Sequence, residues 1–191
     1  MPCRRMLCRC LWVLWLLAAL TVAVPARADL RIGDLEVYLN DHEVTVTVAA
    51  LGTVASTYQE GIQSGIPAFI RFTIELWQYN RMWRDRLLVS KAVERHLTYN
   101  VVTKEYKVTF LKGESRPVYS TRDLRDAQRL LSEARSIKLI PASSLDPDDV
   151  IYVRVRAESA LNGENTFVAR MAGMAEQTFL QSDFRTIRRI Q

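Results

Sequence analysis

The histidines and the acidic residues are the side chains that could support acid–base or metal chemistry, and the histidines are few. Only two are present, His42 and His96. A metal site usually needs three or four ligands at defined spacings, and the G-x-S-x-G turn that often carries a nucleophilic serine is missing. His42 falls in a predicted turn and is expected to be exposed, whereas His96 is expected at the surface or rim of a charged strand. We therefore predict neither a metal site nor enzyme activity.

An acidic stretch at residues 146–149, Asp-Pro-Asp-Asp, is the part of the sequence that comes nearest to a cation-binding motif. A calcium loop spaces its oxygen ligands, bends at a central glycine and ends on a glutamate. This stretch has none of those features, and the sequence contains no glycine-rich phosphate loop or dinucleotide fingerprint. The stretch is interpreted as a turn, and no cofactor is predicted.

A run of aromatic and cationic residues near the middle of the chain is better suited to binding than to catalysis. Trp, Tyr and Arg are enriched where protein interfaces gain most of their energy, and they also suit the headgroup level of a membrane. In the structural alternative, the two tryptophans cap the edge of a sheet and the arginines pair with Glu75 and Asp85. The possible interaction patch consists of Trp77, Tyr79, Arg81, Trp83, Arg84 and Arg86.

The first 28 residues have the layout of a secretory signal peptide. A short basic stretch is followed by an apolar run at residues 11–24, and then by Ala26 and Ala28, the small residues that favour cleavage before Asp29. A helix formed by that run rises only about 21 Å, which is less than the roughly 30 Å of the hydrocarbon core. We expect export to the periplasm and cleavage after Ala28. The alternative is an uncleaved, tilted anchor in the inner membrane.

The charge and cysteine content of the rest of the chain differ from those of this segment. The whole chain carries 26 Lys and Arg residues against 21 Asp and Glu residues. The segment contains four of the arginines, none of the acids and all the cysteines, Cys3, Cys8 and Cys10. The remainder is almost neutral, so its charge does not indicate nucleic-acid binding. Because it has no cysteine, a disulfide scaffold, thiol catalysis and cysteine-bound zinc are excluded.

Residues 29–191 are predicted to form a single β-rich domain, because apolar and polar residues alternate with a period of two in several runs. Alternation at residues 35–39 and 44–48, on either side of a short polar pair, predicts a hairpin. The strongest strand covers residues 70–77: its apolar residues face one way, whereas Trp77 and the polar residues face the other.

Residues 121–134 predict the one amphipathic helix, with Ser120 as its N-terminal cap and Asp123 in its first turn. Residues 167–175 and 178–190 predict a short helix and a terminal strand. In total, the alternating runs predict about eight strands joined by short turns. We therefore predict a mainly β fold in the form of an antiparallel two-layer β-sandwich-like domain. The apolar stripe of the amphipathic helix consists of Leu124, Ala127, Leu131 and Ala134.

A combination of turns and core residues resembles a known family. It includes Gly65-Ile66-Pro67 before a strand that ends near Trp77, the Arg and Trp cluster at residues 81–86, Val153-Arg154-Val155-Arg156, and an aromatic segment at residues 179–186. Over about residues 30–188 the chain resembles DUF4390, a family of short exported bacterial proteins of unknown function. Genes of that family often lie beside genes for a membrane-bound sensor histidine kinase, so the resemblance implies such a kinase as a possible partner. It provides no catalytic residues.

These observations favour an exported envelope protein that acts as a non-enzymatic protein-interaction module, with a membrane sensor kinase or another envelope protein as its candidate partner. The alternative is a small-ligand or lipid-binding periplasmic protein. The two differ in what they require of the fold: a ligand-binding protein needs a concave apolar cavity with a few polar anchors, whereas an interaction module needs an exposed aromatic and arginine patch on a solid core.

Overall fold

The structure is a computed structural model that describes residues 29–162, 167–172, 175–181 and 188–189. The strands of these residues form two sheets that face each other. The first sheet has the order β10-β1-β2-β7, and the second has the order β6-β5-β4-β3-β8-β9. The cleavage site predicted at Ala26 and Ala28, with the whole predicted signal peptide, lies outside the described residues.

The four strands of the first sheet are β1 (Arg31–Leu39), β2 (Glu43–Leu51), β7 (Glu133–Pro141) and β10 (Arg188–Arg189). The six strands of the second sheet are β3 (Ala68–Gln78), β4 (Arg86–Asn100), β5 (Glu105–Lys112), β6 (Tyr119–Thr121), β8 (Ile151–Leu161) and β9 (Ala175–Gln181). All neighbouring strands in the described parts are antiparallel except β1 and β10. The predicted mainly β, sandwich-like fold is confirmed, with more strands than the eight expected.

The core lies between the two sheets and is formed by the alternating apolar residues of their inner faces. In β3, Ile70, Phe72, Ile74 and Leu76 are all fully buried, as the alternation predicts, and Trp77 lies on the opposite, outer face. The predicted hairpin is β1 paired with β2. Because two apolar faces meet, each sheet removes the other's side chains from water, which is the main stabilising term in such a fold.

Three short helices and two 3-10 turns complete the described parts: 3-10 turn Ser56–Tyr58, helix α1 (Gln59–Gln63), helix α2 (Leu124–Ser132), 3-10 turn Ala142–Ser144 and helix α3 (Phe167–Met171). Helix α3 contributes Ala169 to a small cluster on the outer face of the second sheet, with Phe69, Ala160 and Ala175. None of the helices in the described part of the chain has the length and apolar character needed to cross a bilayer.

The amphipathic helix is shorter than the sequence predicts, and its cap is a different residue. Helix α2 begins after Asp123, whose carboxylate accepts the backbone N–H of Arg125 at 2.8 Å. The predicted cap, Ser120, lies in β6 instead. Ala134 belongs to β7, where it is buried. The prediction of the start was wrong because a carboxylate directly before the first turn satisfies the free amides, which leaves residues 119–121 available to pair with β5.

A buried arginine joins α2 to the second sheet. Arg95 occupies an inward position of β4, opposite Ile70, and is 0% exposed. Its guanidinium donates to the carbonyl oxygens of Leu130 and Glu133, at the C-terminal end of α2. A cation is favoured there because the last helical carbonyls are free and carry partial negative charge. The sequence pattern did not predict a charged residue between the sheets.

The counter-charge of Arg95 is Glu114, whose side chain is also buried. Arg95 Nε donates to Glu114 Oε2 at 2.7 Å. Nη2 lies 2.6 Å from the same oxygen, although its geometry is not that of a hydrogen bond. Burial lowers the pKa of Arg95, and the carboxylate of Glu114 opposes that shift. Gly113, at φ +80°, brings Glu114 close to β4, since a Cβ at that glycine would lie 2.5 Å from the carbonyl oxygen of Ala92.

Candidate functional site: an aromatic and arginine surface

The loop between β3 and β4, residues 79–85, is called the tip loop. It is held by hydrogen bonds to side chains at both of its ends. Asn80 Oδ1 accepts the backbone N–H of Met82 at 3.0 Å and that of Trp83 at 3.2 Å. Asp85 Oδ1 accepts the backbone N–H of Asn80 at 3.1 Å. Short polar side chains that bond to the following backbone fix a turn in this way, so the tip loop has a defined shape.

This shape places large side chains in solvent. Met82 is 90% exposed and Trp83 is 81% exposed. The patch members Arg81, Arg84 and Arg86 are exposed as well, and none of them pairs with a carboxylate of the described residues within 4.0 Å. The pairing of these arginines with Glu75 and Asp85, which the structural alternative requires, is therefore absent from the described part of the chain.

Asp85 instead binds β8. Its Oδ2 accepts the hydroxyl of Tyr152 at 2.7 Å. The hydrogen bond from the backbone of Asn80 lowers the pKa of Asp85, and the bond from Tyr152 and the charge of Arg154 add to that effect. The pKa of Tyr152 is raised, first by burial and then by Asp85. The tip loop is thereby attached to the strand on the far side of β3.

Trp77 and Tyr152 stack against each other on the outer face of the second sheet. Their rings lie 6.5 Å apart at an interplanar angle of 12°, since the two residues are directly paired between β3 and β8. Trp77 Nε1 donates to Glu75 Oε2 at 2.9 Å. The alternation of apolar and polar residues in β8 predicts that the side chain of Tyr152 points outward. In the structure this side chain does lie on the outer face of the sheet, but only 1% of the residue is exposed.

Two members of the predicted interaction patch lie at the end of β3. Trp77 is half-buried, whereas Tyr79 is exposed and donates its backbone N–H to the carbonyl oxygen of Val150.

An arginine extends this stack toward the edge of the sheet. The guanidinium carbon of Arg154 lies 4.9 Å from the ring centre of Trp77, 5.9 Å from that of Tyr152 and 5.5 Å from that of Phe179 on β9. Cations are attracted to aromatic faces at such distances. We call Trp77, Tyr152, Arg154 and Phe179 the arginine–aromatic cluster. The cluster and the tip loop are connected through Tyr152 and Asp85.

Sequence reasoning identified the tip loop and Trp77 but did not assign Tyr152, Arg154 or Phe179 to the site. The available signal was the pair of arginines in the alternating run at residues 153–156. Nothing in that run shows that β8 lies beside β3, because the two strands are far apart in the chain and the pairing is decided by the whole sheet.

The two histidines lie in different parts of the fold. His42 is exposed between β1 and β2, as predicted. His96 is half-buried in β4, with its ring 6.0 Å from that of Phe69 and its Nε2 3.5 Å from Glu94 Oε1. Among the described residues, no group of three His, Cys, Asp or Glu side chains is arranged to hold a metal ion.

The acidic stretch at residues 146–149 forms one wall of a cleft of about 570 Å³ at the end of the sandwich. Gln78 Nε2 donates to Asp149 Oδ1 at 2.6 Å, which joins this wall to the end of β3. The rest of the lining comes from the β1–β2 turn and the start of β8. The cleft adjoins the tip loop at Val150, whose carbonyl oxygen accepts the backbone N–H of Tyr79, and its aspartates are Asp41, Asp146 and Asp149.

Comparison with known proteins identifies the family. The family model described as "Domain of unknown function (DUF4390)" matches residues 27–163. The chain belongs to the DUF4390 family. The matched stretch of this DUF4390 protein contains the tip loop, Trp77, Tyr152 and Arg154, and it ends before Phe179. No curated protein and no solved structure matches the chain.

Proposed function

We propose that this DUF4390 protein is an exported, non-enzymatic protein-interaction module of the periplasm that binds its partner through the tip loop. The observation that carries the proposal is Trp83, a tryptophan that is 81% exposed on a loop with a defined shape. Trp83 follows Met82, which is 90% exposed, and large apolar side chains that lie together in water form the kind of patch that commonly marks a binding surface.

The composition of the tip loop supports a protein partner. Tryptophan and arginine are the residue types that most often dominate the energy of a protein interface. The hydrogen bonds of Asn80 and Asp85 order the loop before binding, which reduces the conformational entropy lost on association.

The family resemblance supplies the partner that we propose, a membrane sensor kinase or another protein of the envelope. Crosslinking in intact cells, from a photoreactive residue at position 82, identifies the partner. The affinity of that purified partner is then measured for the wild-type protein and for Trp83→Ala. We expect the Trp83→Ala variant to raise Kd roughly thirtyfold, the effect of losing about 2 kcal/mol, with an unchanged melting temperature.

The matched control is Val102→Ala. Val102 is 86% exposed in the β4–β5 hairpin turn, which is closed by Asn100 in the same way that Asn80 closes the tip loop. It should leave Kd unchanged. A Trp83→Ala variant that loses stability and keeps its affinity would show instead that Trp83 has a structural role, and the proposal would fail.

A small-ligand protein is the second candidate, and the cleft beside the tip loop is the observation that favours it. Its volume of about 570 Å³ lies in the range of ligand sites. Because its polar lining includes three aspartates, such a ligand would carry a positive charge. A screen of cationic small molecules by thermal shift, repeated on Asp149→Asn, tests this candidate separately from the tip loop.

A further inference from the structure

The guanidinium of Arg154 has no hydrogen-bond acceptor among the described residues. Its Nε is buried and without a partner. Its face is covered by the rings of Trp77, Tyr152 and Phe179. Buried donors are paired in the great majority of cases, and a guanidinium that is stacked on aromatic rings keeps its fork of donors fixed for a carboxylate or phosphate. This arrangement is suited to receiving an anionic group from outside.

The carboxylate nearest in the sheet does not fill that role. Glu75 is the residue paired with Arg154 between β3 and β8, yet its side chain accepts the indole N–H of Trp77 and does not come within 4.0 Å of the guanidinium. Arg156, two residues further along β8, is exposed and lies opposite Phe179 of β9. Phe179 is itself 52% exposed. Two arginines and an exposed ring thus lie side by side on the outer face.

The positive charge of the outer face continues from Arg154 and Arg156 to the tip loop. Along the path from Phe179 to Trp83, the carboxylates of Glu75 and Asp85 are each already hydrogen-bonded within the protein. The cations on this path are Arg81, Arg84, Arg86, Arg154 and Arg156. Complementary charge across an interface selects partners and speeds association.

We propose that the arginine–aromatic cluster, together with Arg156, binds the carboxylates of an extended acidic segment of the protein partner. Arg154 and Arg156 bind two carboxylates, and the rings of Trp77 and Phe179 support the chain between them. The segment runs from the tip loop across β8 to β9. The inference rests on the proposed function, because it specifies the chemistry of the partner that the tip loop binds.

The position of the cluster favours a protein segment over a membrane. Arg154 is paired with Glu75, four residues before the start of the tip loop, which corresponds to about 13 Å along the strand. A bilayer that meets the tip loop end-on would reach Met82 and Trp83 and leave the face of the sheet in water. A chain that follows the outer face reaches both the tip and the cluster.

Tryptophan fluorescence isolates the cluster from the tip loop. The chain has four tryptophans, at positions 12, 15, 77 and 83. Full-length protein with Trp12→Phe, Trp15→Phe and Trp83→Phe retains Trp77 alone, next to Arg154. The probe is a hexaglutamate peptide, with a hexaglutamine peptide as the neutral control. Inorganic phosphate and phosphatidylglycerol vesicles are titrated separately.

We expect hexaglutamate to change the Trp77 emission in a saturable way that weakens with added salt, whereas hexaglutamine and the vesicles leave it unchanged. Arg154→Gln should raise Kd for hexaglutamate about tenfold, equivalent to 1.4 kcal/mol. Arg156→Gln, which changes an exposed side chain and keeps the stack, should also raise it. Arg154→Lys should bind with intermediate affinity, because it keeps the charge and loses the planar fork.

The control variant is Arg129→Gln, which removes one positive charge on α2, away from the cluster, and should leave Kd unchanged. If Arg129→Gln and Arg156→Gln raised the Kd for hexaglutamate equally, only the net charge of the protein would matter, and the inference would be overturned. An emission change with vesicles alone, or a response to phosphate that equals that to hexaglutamate, would overturn it as well. If hexaglutamate fails while Trp83→Ala still weakens partner binding, the inference fails and the proposed function stands.

Discussion

Arg95, in the middle of β4, donates a hydrogen bond to the main-chain carbonyl of Leu130, in the last turn of helix α2. The bond connects the second sheet to the helix across the interior of the sandwich. The cation satisfies a carbonyl that has no partner within the helix, and it compensates for being buried through its contacts with Glu114. The position of α2 thus depends on a charged residue in the core.

We therefore expect Arg95→Met to destabilise the protein by about 3 kcal/mol, since the buried carboxylate of Glu114 loses its nearest cation and keeps only Arg116, whose Nε lies 3.8 Å from Glu114 Oε1 and compensates the charge only in part. Urea unfolding followed by circular dichroism measures the change. The double variant Arg95→Met with Glu114→Gln should recover part of the loss, because the uncompensated charge is removed. An unfolding midpoint for Arg95→Met equal to that of the wild type would contradict the role assigned to this arginine.

Asn80→Ala should loosen the tip loop without unfolding the domain. The substitution removes the acceptor of the Met82 and Trp83 amides, so these amides should exchange with solvent faster and partner binding should weaken, because more loop entropy is lost on association. Hydrogen exchange and the partner Kd are the two measurements. Asn100→Ala makes the same change in the β4–β5 turn, and its Kd should match the wild type. Equal Kd values for both variants would count against preorganisation of the tip loop.

Tyr58 makes stability sensitive to alkaline pH. Burial, with a smaller effect of Glu176, raises the pKa of Tyr58 to about 12 from its ordinary value of 10.0. Because the folded state holds this proton more tightly than the unfolded state, the contribution to stability is complete below pH 10 and is lost as the pH rises from 10 toward 12. Tyr58→Phe should reduce that loss. Melting temperatures of both proteins between pH 8 and 11.5 test this, and identical curves would rule it out.

At neutral pH, Tyr58→Phe should not destabilise the protein. The hydroxyl of Tyr58 is buried near that of Ser159, but the two do not have the geometry of a regular hydrogen bond, so its removal costs at most a weak bond and relieves the desolvation of a polar group. The ring, which is fully buried, is retained. A melting temperature several degrees below that of the wild type at pH 7 would indicate that the hydroxyl does have a partner.

Processing of the N-terminal segment gives a further prediction. Ala26 and Ala28 follow a short apolar run, so N-terminal sequencing of the protein from an envelope fraction should begin at Asp29. Ala28→Leu should slow cleavage, because the position before the cut needs a small residue. A chain that begins at Met1 and stays with the membrane fraction would favour the retained anchor.

The sequence is sufficient to predict those parts of the fold that depend on local alternation. Strand β3 shows this: the burial of Ile70 and Phe72 and the outward position of Trp77 all follow from a period of two. The start of α2 could not be predicted as reliably, because Ser120 and Asp123 are both good caps. Which of them acts depends on whether residues 119–121 pair with β5, which is a tertiary contact.

Only the part of the candidate site that depends on local sequence could be predicted. Its tip loop is one contiguous stretch that contains Arg81, Trp83 and Arg84, which is visible in the sequence. Its cluster joins β3, β8 and β9, and Arg154 reaches Trp77 only because of the strand order. Arg95 escaped prediction because an arginine in an alternating strand is read as outward-facing. Only the carbonyls at the end of α2 and the carboxylate of Glu114 make an inward position tolerable.

The strand order also determines how the domain would carry a mechanical load. The tip loop joins β3 and β4, which are interior strands with a neighbour on each side. Hydrogen bonds between antiparallel strands are perpendicular to the strand direction. A pull on Trp83 along the strands therefore shears the ladders to β8 and β5 together, whereas the same pull on an edge strand would load only one ladder. A partner that binds at this loop would hold the domain through two ladders instead of one.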